Sequence, residues 1–387
     1  MATRRVLCLL LFLSLAPRAW GATITVRKDG TGDYSVIQQA LDVAANGDTI
    51  LIGPGEFTEK KTVRFPGWSS DVETYGQVTS SGLVIVGAGI DATIIGPTSY
   101  SGVSSTQSPV GISCDFIIES ITLADLSIRN CYSGLNFGGT LWMERCHLNN
   151  NDYGVIWNTV GAGGAIRDSR FSGIDPYPPT GILTIGGGTG VLVENCEFTN
   201  AYPYVANPDI TFRGCRLSSN GSGIGLEVAD GAHCQLWDCD ILDVGIGVKT
   251  FLSGSTCEIH NSRIQGTASA LTIDQRTSAT VDGSSLTGGS NSVVLARDSD
   301  ALTIHGCDFH KGTGPVIRSS RPSVWGAVTY DLTNNYWGTT GGADIQAWII
   351  DSNDDSNIYA TVLYAPFAGQ SVPAETMSWG DLKALFR

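Results

Sequence analysis

Seven charged side chains recur on short apolar segments in the second half of the chain and could do acid–base chemistry together. They are Glu227, Lys249, Asp274, Arg276, Arg297, Asp298 and Arg318. A β-elimination on a uronate needs a cation to neutralise the carboxylate and a base of lowered pKa to take the adjacent proton. We therefore take Lys249, Asp274, Arg276 and Arg297 as candidate catalytic residues. The alternative is a ladder of charges that stabilises a repetitive surface.

The acidic segment 349–357 carries a second candidate site. Asp351, Asn353 and Asp355 have the alternating spacing that opens an oxygen-rich Ca²⁺ loop. Two later positions depart from such a loop, because Ser356 stands where a glycine is expected and Val362 where a glutamate would bind the ion. The segment predicts either a Ca²⁺ site or a solvated loop. The five histidines show no metal-type spacing, and no motif indicates zinc, haem or a nucleotide.

Aromatic side chains at several places could stack on sugar rings, whose CH-rich faces suit an aromatic surface. The candidates are Trp68, Trp142, Trp157, Tyr177, Tyr202, Tyr204 and Trp237. The same residues could instead cover the edges of a repetitive fold. Two segments interrupt the repeat described below, at about 60–81 and at 173–181, and these are the expected places for a ligand surface.

A repeat of about 23 residues must position all of these side chains. It consists of aliphatic residues around a small residue, as in LWMERCHL at 141 and VLVENCEF at 191. We call the small residue the anchor. The anchors are Cys131, Cys146, Ser169, Cys196, Cys215, Cys239, Ser262, Ser284, Cys307 and Asn335. A period of this length is typical of a solenoid, here of about nine to ten coils.

Each repeat reads as a β-strand that bends just before its anchor. The residue three before the anchor is always apolar, and polar residues alternate with apolar ones, as in a strand with one wet face. The residue before the anchor is Asn, Asp or Gly in nine of ten copies, the exception being Arg145, and such residues suit a positive φ. A second short strand follows the anchor. The pattern predicts an all-β, parallel β-helix with two strands per coil.

The outward position two residues before the anchor predicts a stabilising ladder. Its members are Arg129, Glu144, Arg167, Glu194, Arg213, Trp237, His260, Asp282 and His305. Their charges alternate in sign down the first five coils, as expected of neighbours that pair across parallel strands. We interpret this column as a solvated, stabilising face and not as a row of catalytic groups.

The first 21 residues have the layout of a secretory signal peptide, with Arg4 and Arg5 before the apolar run Val6 to Leu15 and small residues at the end. We expect cleavage after Gly21 and an extracellular, periplasmic or cell-surface protein. No later run is long enough to span a membrane. Cleavage removes three of the 23 basic residues and none of the 37 acidic ones, which leaves a net charge of −17. This charge disfavours nucleic acid as a partner and, more weakly, a polyanionic glycan.

The expected organisation has four parts. They are a signal peptide at 1–21, an N-terminal cap at 22–59, the β-helix with its closing segment at 60–377, and a tail helix at 378–387. The cap includes a helix with Ser35 and Gln38 as a capping box, an apolar face and an end at Asn46-Gly47. The tail either caps the last coil or serves in export or anchoring. Six of the nine mature cysteines are anchors, so we expect buried thiols, with Cys234 and Cys257 as the one pair that could form a disulfide.

The segment 23–59 resembles the N-terminal part of pectinesterase-like and other right-handed β-helix proteins, and 334–367 is similar to the closing segment of bacterial β-helix repeat proteins. The resemblance implies a pectin lyase-like fold, which hosts lyases, hydrolases, esterases, epimerases and adhesins. The chain departs from the enzymes of this fold at their motifs. The aspartate strand and GRPW arginine of pectinesterases are absent, as are the carboxylate motifs of polygalacturonases and the WIDH motif of pectate lyases.

These observations lead to two hypotheses of different class. The first is a secreted, non-catalytic surface or glycan-binding protein whose partner is an extracellular polysaccharide. The second is a polysaccharide lyase or glycoside hydrolase that acts in a groove along the second-strand face. A concave cleft with converging Asp, Arg and Lys would favour the enzyme, and a flat face would favour the binding protein.

Overall fold

Strands of successive coils lie one above another, in parallel register. The computed structural model describes residues 21–64, 71–100, 109–114, 118–157, 163–173, 180–182, 190–206 and 209–371. Within these residues the chain forms a parallel β-solenoid of about eleven turns, slightly more than the nine to ten coils that the anchors predicted. Residues 1–20, the expected tail helix and most of the 173–181 loop lie outside the described residues.

The strand that precedes every anchor except Cys131 belongs to one continuous sheet, which we call the first face. Across the described part of the chain this sheet has 14 strands. They are Thr23–Val26, Thr49–Ile52, Leu83–Val86, Ser120–Ala124, Thr140–Glu144, Gly164–Arg167, Val191–Glu194, Asp209–Arg213, His233–Trp237, Thr256–His260, Ser278–Asp282, Ala301–His305, Val328–Asp331 and Ala360–Leu363.

A short strand directly after the anchor forms the second face. Its strands are Gly55–Phe57, Thr93–Ile95, Ser127–Arg129, His147–Asn149, Arg170–Ser172, Glu197–Thr199, Arg216–Ser218, Ser285–Thr287 and Asp308–His310, together with the first parts of Asp240–Thr250 and Arg263–Ile273. Most are three residues long, which is why the sequence pattern did not separate them. The coil therefore has three strands, and the prediction of two per coil was wrong.

The third face follows the second and closes the coil. Its strands are Lys61–Val63, Val72–Val78, Val110–Cys114, Ser133–Phe137, Tyr153–Trp157, Thr180–Ile182, Tyr202–Ala206, Ile224–Ala229, the later parts of Asp240–Thr250 and Arg263–Ile273, Val294–Ala296, Ile317–Ser319 and Ile349–Ile350. Lys61–Val63 pairs with Val72–Val78 in antiparallel orientation. Three helical segments accompany the strands in the described residues, Ile37–Val43, the 3-10 turn Ser323–Trp325 and Gly342–Ala347.

Nine of the ten anchors stack in one column at the corner between the first and second faces. Met143 lies opposite Ile166, Ile166 opposite Val193, and the alignment continues to Ile304. Cys131 is the exception and its predicted register was wrong. The strand before it, Ser127–Arg129, pairs with His147–Asn149 on the second face. Cys131 therefore lies at the next corner.

Each anchor side chain carries an atom that can accept a hydrogen bond. This common property explains why Cys, Ser and Asn alternate in the column. The backbone N–H of Cys239 donates to Ser262 Oγ at 3.1 Å, and that of Cys307 donates to Asn335 Oδ1 at 2.8 Å. These groups are buried, so the side chain satisfies a backbone donor that water cannot reach. Cys131 N–H donates to Asn151 Oδ1 in the same way at its own corner. The shared chemistry is the reason that Cys131 resembled the other anchors.

The bend before each anchor has the predicted backbone conformation. All ten residues at this position have positive φ, including Arg145 at 48°. Asn, Asp and Gly reach this region at low cost, but an arginine does not. Arg145 is held there by a two-pronged ion pair with Asp125, whose carboxylate oxygens lie 2.7 and 2.9 Å from the guanidinium nitrogens.

The predicted first-face ladder is present from Glu144 onward. Glu194 lies between Arg167 and Arg213, at 3.1 and 3.8 Å. Further along, the rings of Trp237 and His260 stack with their centroids 3.8 Å apart. Arg129 does not belong to this column, because its strand lies on the second face, where it contacts Glu56 at 3.0 Å.

The core is the interior of the coil, and a helix packs at its N-terminal end. The predicted apolar face of this helix, Ile37, Ala40, Leu41 and Ala44, is buried. The capping box was wrong, because the helix begins at Ile37 and has no side-chain cap. Gln38 instead contacts the third face, where its Oε1 accepts the N–H of Gln77 at 2.7 Å. All nine cysteines of the described residues are buried, and none of them forms a disulfide.

Candidate functional site

The third face carries a strip of aromatic and ion-paired side chains that crosses successive coils diagonally, from the start of the strand at Tyr153 to just beyond the strand ends at Asp274 and Arg297. We call it the third-face strip. Its members are Tyr132, Tyr153, Tyr202, Tyr204, Glu227, Lys249, Phe251, Asp274 and Arg297. The strands of this face alternate inward aliphatic residues with these outward ones, as in Val248, Lys249 and Thr250. The alternation therefore presents one member of the strip to solvent on most coils.

Glu227 and Lys249 form the central ion pair of the strip. They are directly opposite each other on adjacent strands, and Lys249 Nζ lies 2.6 Å from Glu227 Oε1. The Glu227 side chain is only 9% exposed. Lys249 Nζ also lies 4.4 Å from the centroid of the Phe251 ring. The lysine is therefore held between a buried carboxylate and an aromatic face, which restrains both partners.

Asp274 and Arg297 form the second ion pair, on the next two coils. Asp274 Oδ2 lies 2.7 Å from Arg297 Nη2. Thr272, two residues before Asp274, is the neighbour of Lys249 across the sheet, so Asp274 lies diagonally from Lys249. Three of the four candidate catalytic residues, Lys249, Asp274 and Arg297, are thus brought to one surface.

Arg276 lies around the corner from these three. Its backbone has φ of 61°, and its guanidinium contacts Asp300 at 3.3 Å and stacks over the Trp325 ring at 5.0 Å. Asp298 lies at the same corner, where its carbonyl accepts the N–H of Arg276. Arg318 is exposed on the third face, one coil beyond Leu295. The seven charged residues therefore divide between the face and its corner.

Three tyrosines of the strip contact other rings in it. The rings of Tyr132 and Tyr153 meet edge to face with centroids 5.2 Å apart, and Tyr204 meets Phe251 at 6.3 Å. Burial raises the pKa of Tyr202 to about 12, and the nearby Glu227 and Tyr153 add to the shift. Burial also raises the pKa of Tyr204 to about 12, with further contributions from Asp230 and Glu227. These phenols stay neutral hydrogen-bonding groups over the physiological pH range.

The predicted aromatic candidates lie in different environments. Tyr202 and Tyr204 lie in the strip, and Trp142 is exposed on the first face. Trp237 is stacked on His260 in the ladder. Trp157 was wrong as a surface residue, because it is fully buried and donates its indole N–H to the Gly139 carbonyl at 2.8 Å. Trp68 and Tyr177 lie outside the described residues.

Sequence reasoning missed Tyr132, Tyr153 and Phe251. Each lies at one end of a third-face strand, and a signal was present. Tyr132 and Tyr153 both precede the short apolar strand after the second corner, and Phe251 ends the GVKTF segment. Aligning the third-face strands with one another would have placed these rings on the outer surface.

The candidate Ca²⁺ loop is held by hydrogen bonds within the protein. Asp351 is buried, and its two carboxylate oxygens accept the backbone N–H groups of Asn353 and Val362, both at 2.8 Å. Asp355 Oδ1 accepts the N–H of Asn357 at 2.8 Å. Among the described residues, no three His, Cys, Asp or Glu side chains converge as metal ligands. The contacts are those of a loop closed by aspartate turns.

The stacked coils and their parallel sheets define a β-helix protein. The family model described as right handed beta helix region matches residues 78–264 and 153–309, more than half of the chain. The chain belongs to this right-handed β-helix family, which confirms the predicted fold class. In the described residues no helix has the length and apolar character needed to cross a membrane.

Several proteins with solved structures of the same fold are enzymes that act on polysaccharides. The A-modules of the mannuronan C-5 epimerases AlgE4 and AlgE6 of Azotobacter vinelandii match with TM-scores of 0.54 and 0.53 at 16% and 17% identity. The matches cover 86% of this chain and 94% and 93% of the modules. The catalytic unit of a GH87 α-1,3-glucanase from Streptomyces thermodiastaticus matches with a TM-score of 0.50 at 14% identity, over 91% of this chain and 70% of that one. At these identities the likeness shows the fold alone.

One curated protein shares a part of the sequence. The metabotropic glutamate receptor-like protein P of Dictyostelium discoideum is 28% identical over 142 residues, or 37% of this chain. The matched region spans only 10% of that protein's length. The match therefore indicates a shared stretch of sequence and not a shared activity.

Proposed function

We propose that this protein is exported and binds an extracellular polysaccharide along the third-face strip without cleaving it. The observation that carries the proposal is the row of aromatic rings from Tyr132 to Phe251, which crosses successive coils of the third face diagonally. Coils are about 4.8 Å apart, a spacing close to the length of one sugar in an extended glycan. Half-buried rings on a rigid sheet offer stacking surfaces at low entropic cost.

The pairing of the acids favours binding over catalysis. Each acid of the strip is paired with a cation, Glu227 with Lys249 and Asp274 with Arg297. A general base must be free to take a proton from its substrate, whereas a paired carboxylate can still accept hydrogen bonds from sugar hydroxyls. Polysaccharide-active relatives by fold make a glycan the expected class of ligand, although fold alone does not assign it.

A binding panel of neutral and acidic polysaccharides tests the proposal, with the protein lacking residues 1–21 and with and without Ca²⁺. We expect retention on at least one glycan, and a loss of affinity of about tenfold in Tyr202→Ala and in Phe251→Ala, from the loss of one stacking contact each. Trp142→Ala is the matched control, because it removes an exposed aromatic ring from the first face. Equal binding by all three variants would contradict the proposal.

The second candidate function is a polysaccharide lyase or glycoside hydrolase. The observation that favours it is the convergence of Lys249, Asp274 and Arg297 on one surface, since a β-elimination uses a base beside a cation. The same incubations decide, with unsaturated-product absorbance and reducing ends measured together. Product formation that Lys249→Met abolishes would establish the enzyme and overturn the non-catalytic proposal.

A further inference from the structure

A short loop near the end of the solenoid presents an exposed tryptophan beside the third-face strip. The loop follows the third-face strand Ile317–Ser319 and includes the 3-10 turn Ser323–Trp325. Val324 is 73% exposed and Trp325 is 41% exposed. Of these two side chains, only Trp325 has an aromatic face on which a ligand ring can stack.

The loop is built around one buried arginine. Arg321 is 6% exposed, and its guanidinium donates to the carbonyls of Trp325 at 2.6 Å and Gly326 at 2.8 Å. It also donates to the Ser299 carbonyl and contacts Asp300 at 3.3 Å. These contacts satisfy a buried charge and fix the turn, so Trp325 is held in place before any ligand arrives.

Trp325 reaches back along the axis toward the strip. One face of its ring stacks on Arg276, which Asp300 holds from the other side at 3.3 Å. Arg276 lies at the corner just after Asp274, two coils before the loop. The loop thus folds over the corner beside the Asp274–Arg297 pair, and the indole lies against Arg276, one coil beyond Phe251.

We infer that Trp325 forms an end subsite of the third-face strip, so that the preferred ligand is a long, unbranched polysaccharide lying across successive coils of the solenoid. This inference rests on the proposed function. Seven coil-to-coil pairings lead from Tyr153 to Arg318 at the level of the loop. At about 4.8 Å per coil this is roughly 34 Å, and about 24 Å to the level of Arg276.

The chemistry at the loop suits a sugar. The indole has one face on Arg276 and can offer the other to the CH side of a pyranose, while Asp300 and Arg276 lie beside it for hydroxyl groups. A trisaccharide that stacks on Tyr202, Tyr204 and Phe251 ends one coil, about 4.8 Å, short of the level of Arg276, whereas a fourth sugar reaches that level. Dependence on ligand length is therefore the property that separates an end subsite from a general contribution to binding.

The test measures the affinity of short and long oligosaccharides, as trisaccharides and dodecasaccharides of cellulose, xylan, mannan and polyuronate. We expect Trp325→Ala to weaken binding of the dodecasaccharide about tenfold and to leave the trisaccharide unchanged. Trp325→Tyr should restore most of the loss, and Val324→Ala is the matched control on the same turn. Denaturation midpoints of the variants show whether the fold is retained.

The outcomes are distinguishable. The end subsite is overturned if the wild type binds and Trp325→Ala loses no affinity, or loses the same affinity for the trisaccharide and the dodecasaccharide. Either result leaves the proposed function in place. Absence of wild-type binding to every probe overturns both. A partner protein captured through Trp325, with glycan binding unchanged in Trp325→Ala, would also overturn the end subsite.

Discussion

Lys249 and Glu227 face each other across adjacent coils, with the ammonium nitrogen 2.6 Å from a carboxylate that is nearly buried. The attraction to the ammonium group of Lys249 offsets the free-energy cost of burying the Glu227 carboxylate. Removing the lysine leaves a carboxylate with little access to water, and that is costly even where the intact pair adds little net stability. The pair therefore makes the strip locally sensitive to the loss of either partner.

We expect Lys249→Ala to lower the free energy of unfolding by about 1–3 kcal/mol, because Glu227 loses its partner. Adding Glu227→Gln should recover part of this loss, since the amide carries no charge. The measurement is denaturant-induced unfolding of the two single variants and the double variant. Lys61→Ala is the control, because the ion pair of Lys61 with Asp42, at 2.8 Å, is exposed. Its loss should lower the free energy of unfolding by less than about 1 kcal/mol. Equal losses in Lys249→Ala and Lys61→Ala would contradict the prediction.

Stability should fall in alkali partly because of Tyr202. Its pKa is about 12 in the folded chain and near 10 when unfolded, so between these values the folded state keeps a proton that the unfolded state has lost. The stabilisation is fully present below about pH 10 and is lost as the pH rises through about 12. Unfolding midpoints across this window should fall less steeply in Tyr202→Phe than in wild type. Tyr359→Phe, at an exposed position away from the strip, should follow wild type.

The first face was predictable from the sequence and the third face was not. Long strands with strict alternation fix the first-face register, so Glu194 and Arg213 could be paired from spacing alone. The third face depends on the lengths of two corners in every coil, and the anchors are separated by 15 to 28 residues. The approach of Tyr204 to Phe251 could not be read from the sequence for this reason.

The one error in the anchor column has a physical cause. Cys131 and Cys146 both lie at corners where a side-chain acceptor must meet a buried N–H, so the same residue type recurs at two different corners. Residue type alone does not say which corner it occupies. The step of only 15 residues between these two anchors was the available signal, because it is too short for a complete coil of the usual length.

Substitutions at Arg145 distinguish the cost of its backbone conformation from the contribution of its ion pair. Its φ of 48° costs about 1–2 kcal/mol for an ordinary side chain, and Asn or Gly avoids most of this cost. Arg145→Ala should be destabilising because it keeps the strain and loses the Asp125 contact, whereas Arg145→Asn should be more stable than Arg145→Ala by about 1 kcal/mol. Unfolding midpoints of the two variants give the difference. Equal stability of Ala and Asn at this position would contradict the assignment of strain.

The acceptor role of the anchors predicts which substitutions the column tolerates. Ser262 Oγ accepts the buried N–H of Cys239 at 3.1 Å, so Ser262→Ala should cost about 1–3 kcal/mol by leaving that donor without a partner. Ser262→Cys keeps an acceptor, as Cys307 does for Ser284 N–H at 3.4 Å, and should lose less. Unfolding midpoints compare the two, with Ser219→Ala on an exposed turn as the control expected to stay within about 0.5 kcal/mol of wild type. If Ala and Cys are equally tolerated at 262, the column is selected for size alone, and its alternation of Cys, Ser and Asn carries no hydrogen-bonding requirement.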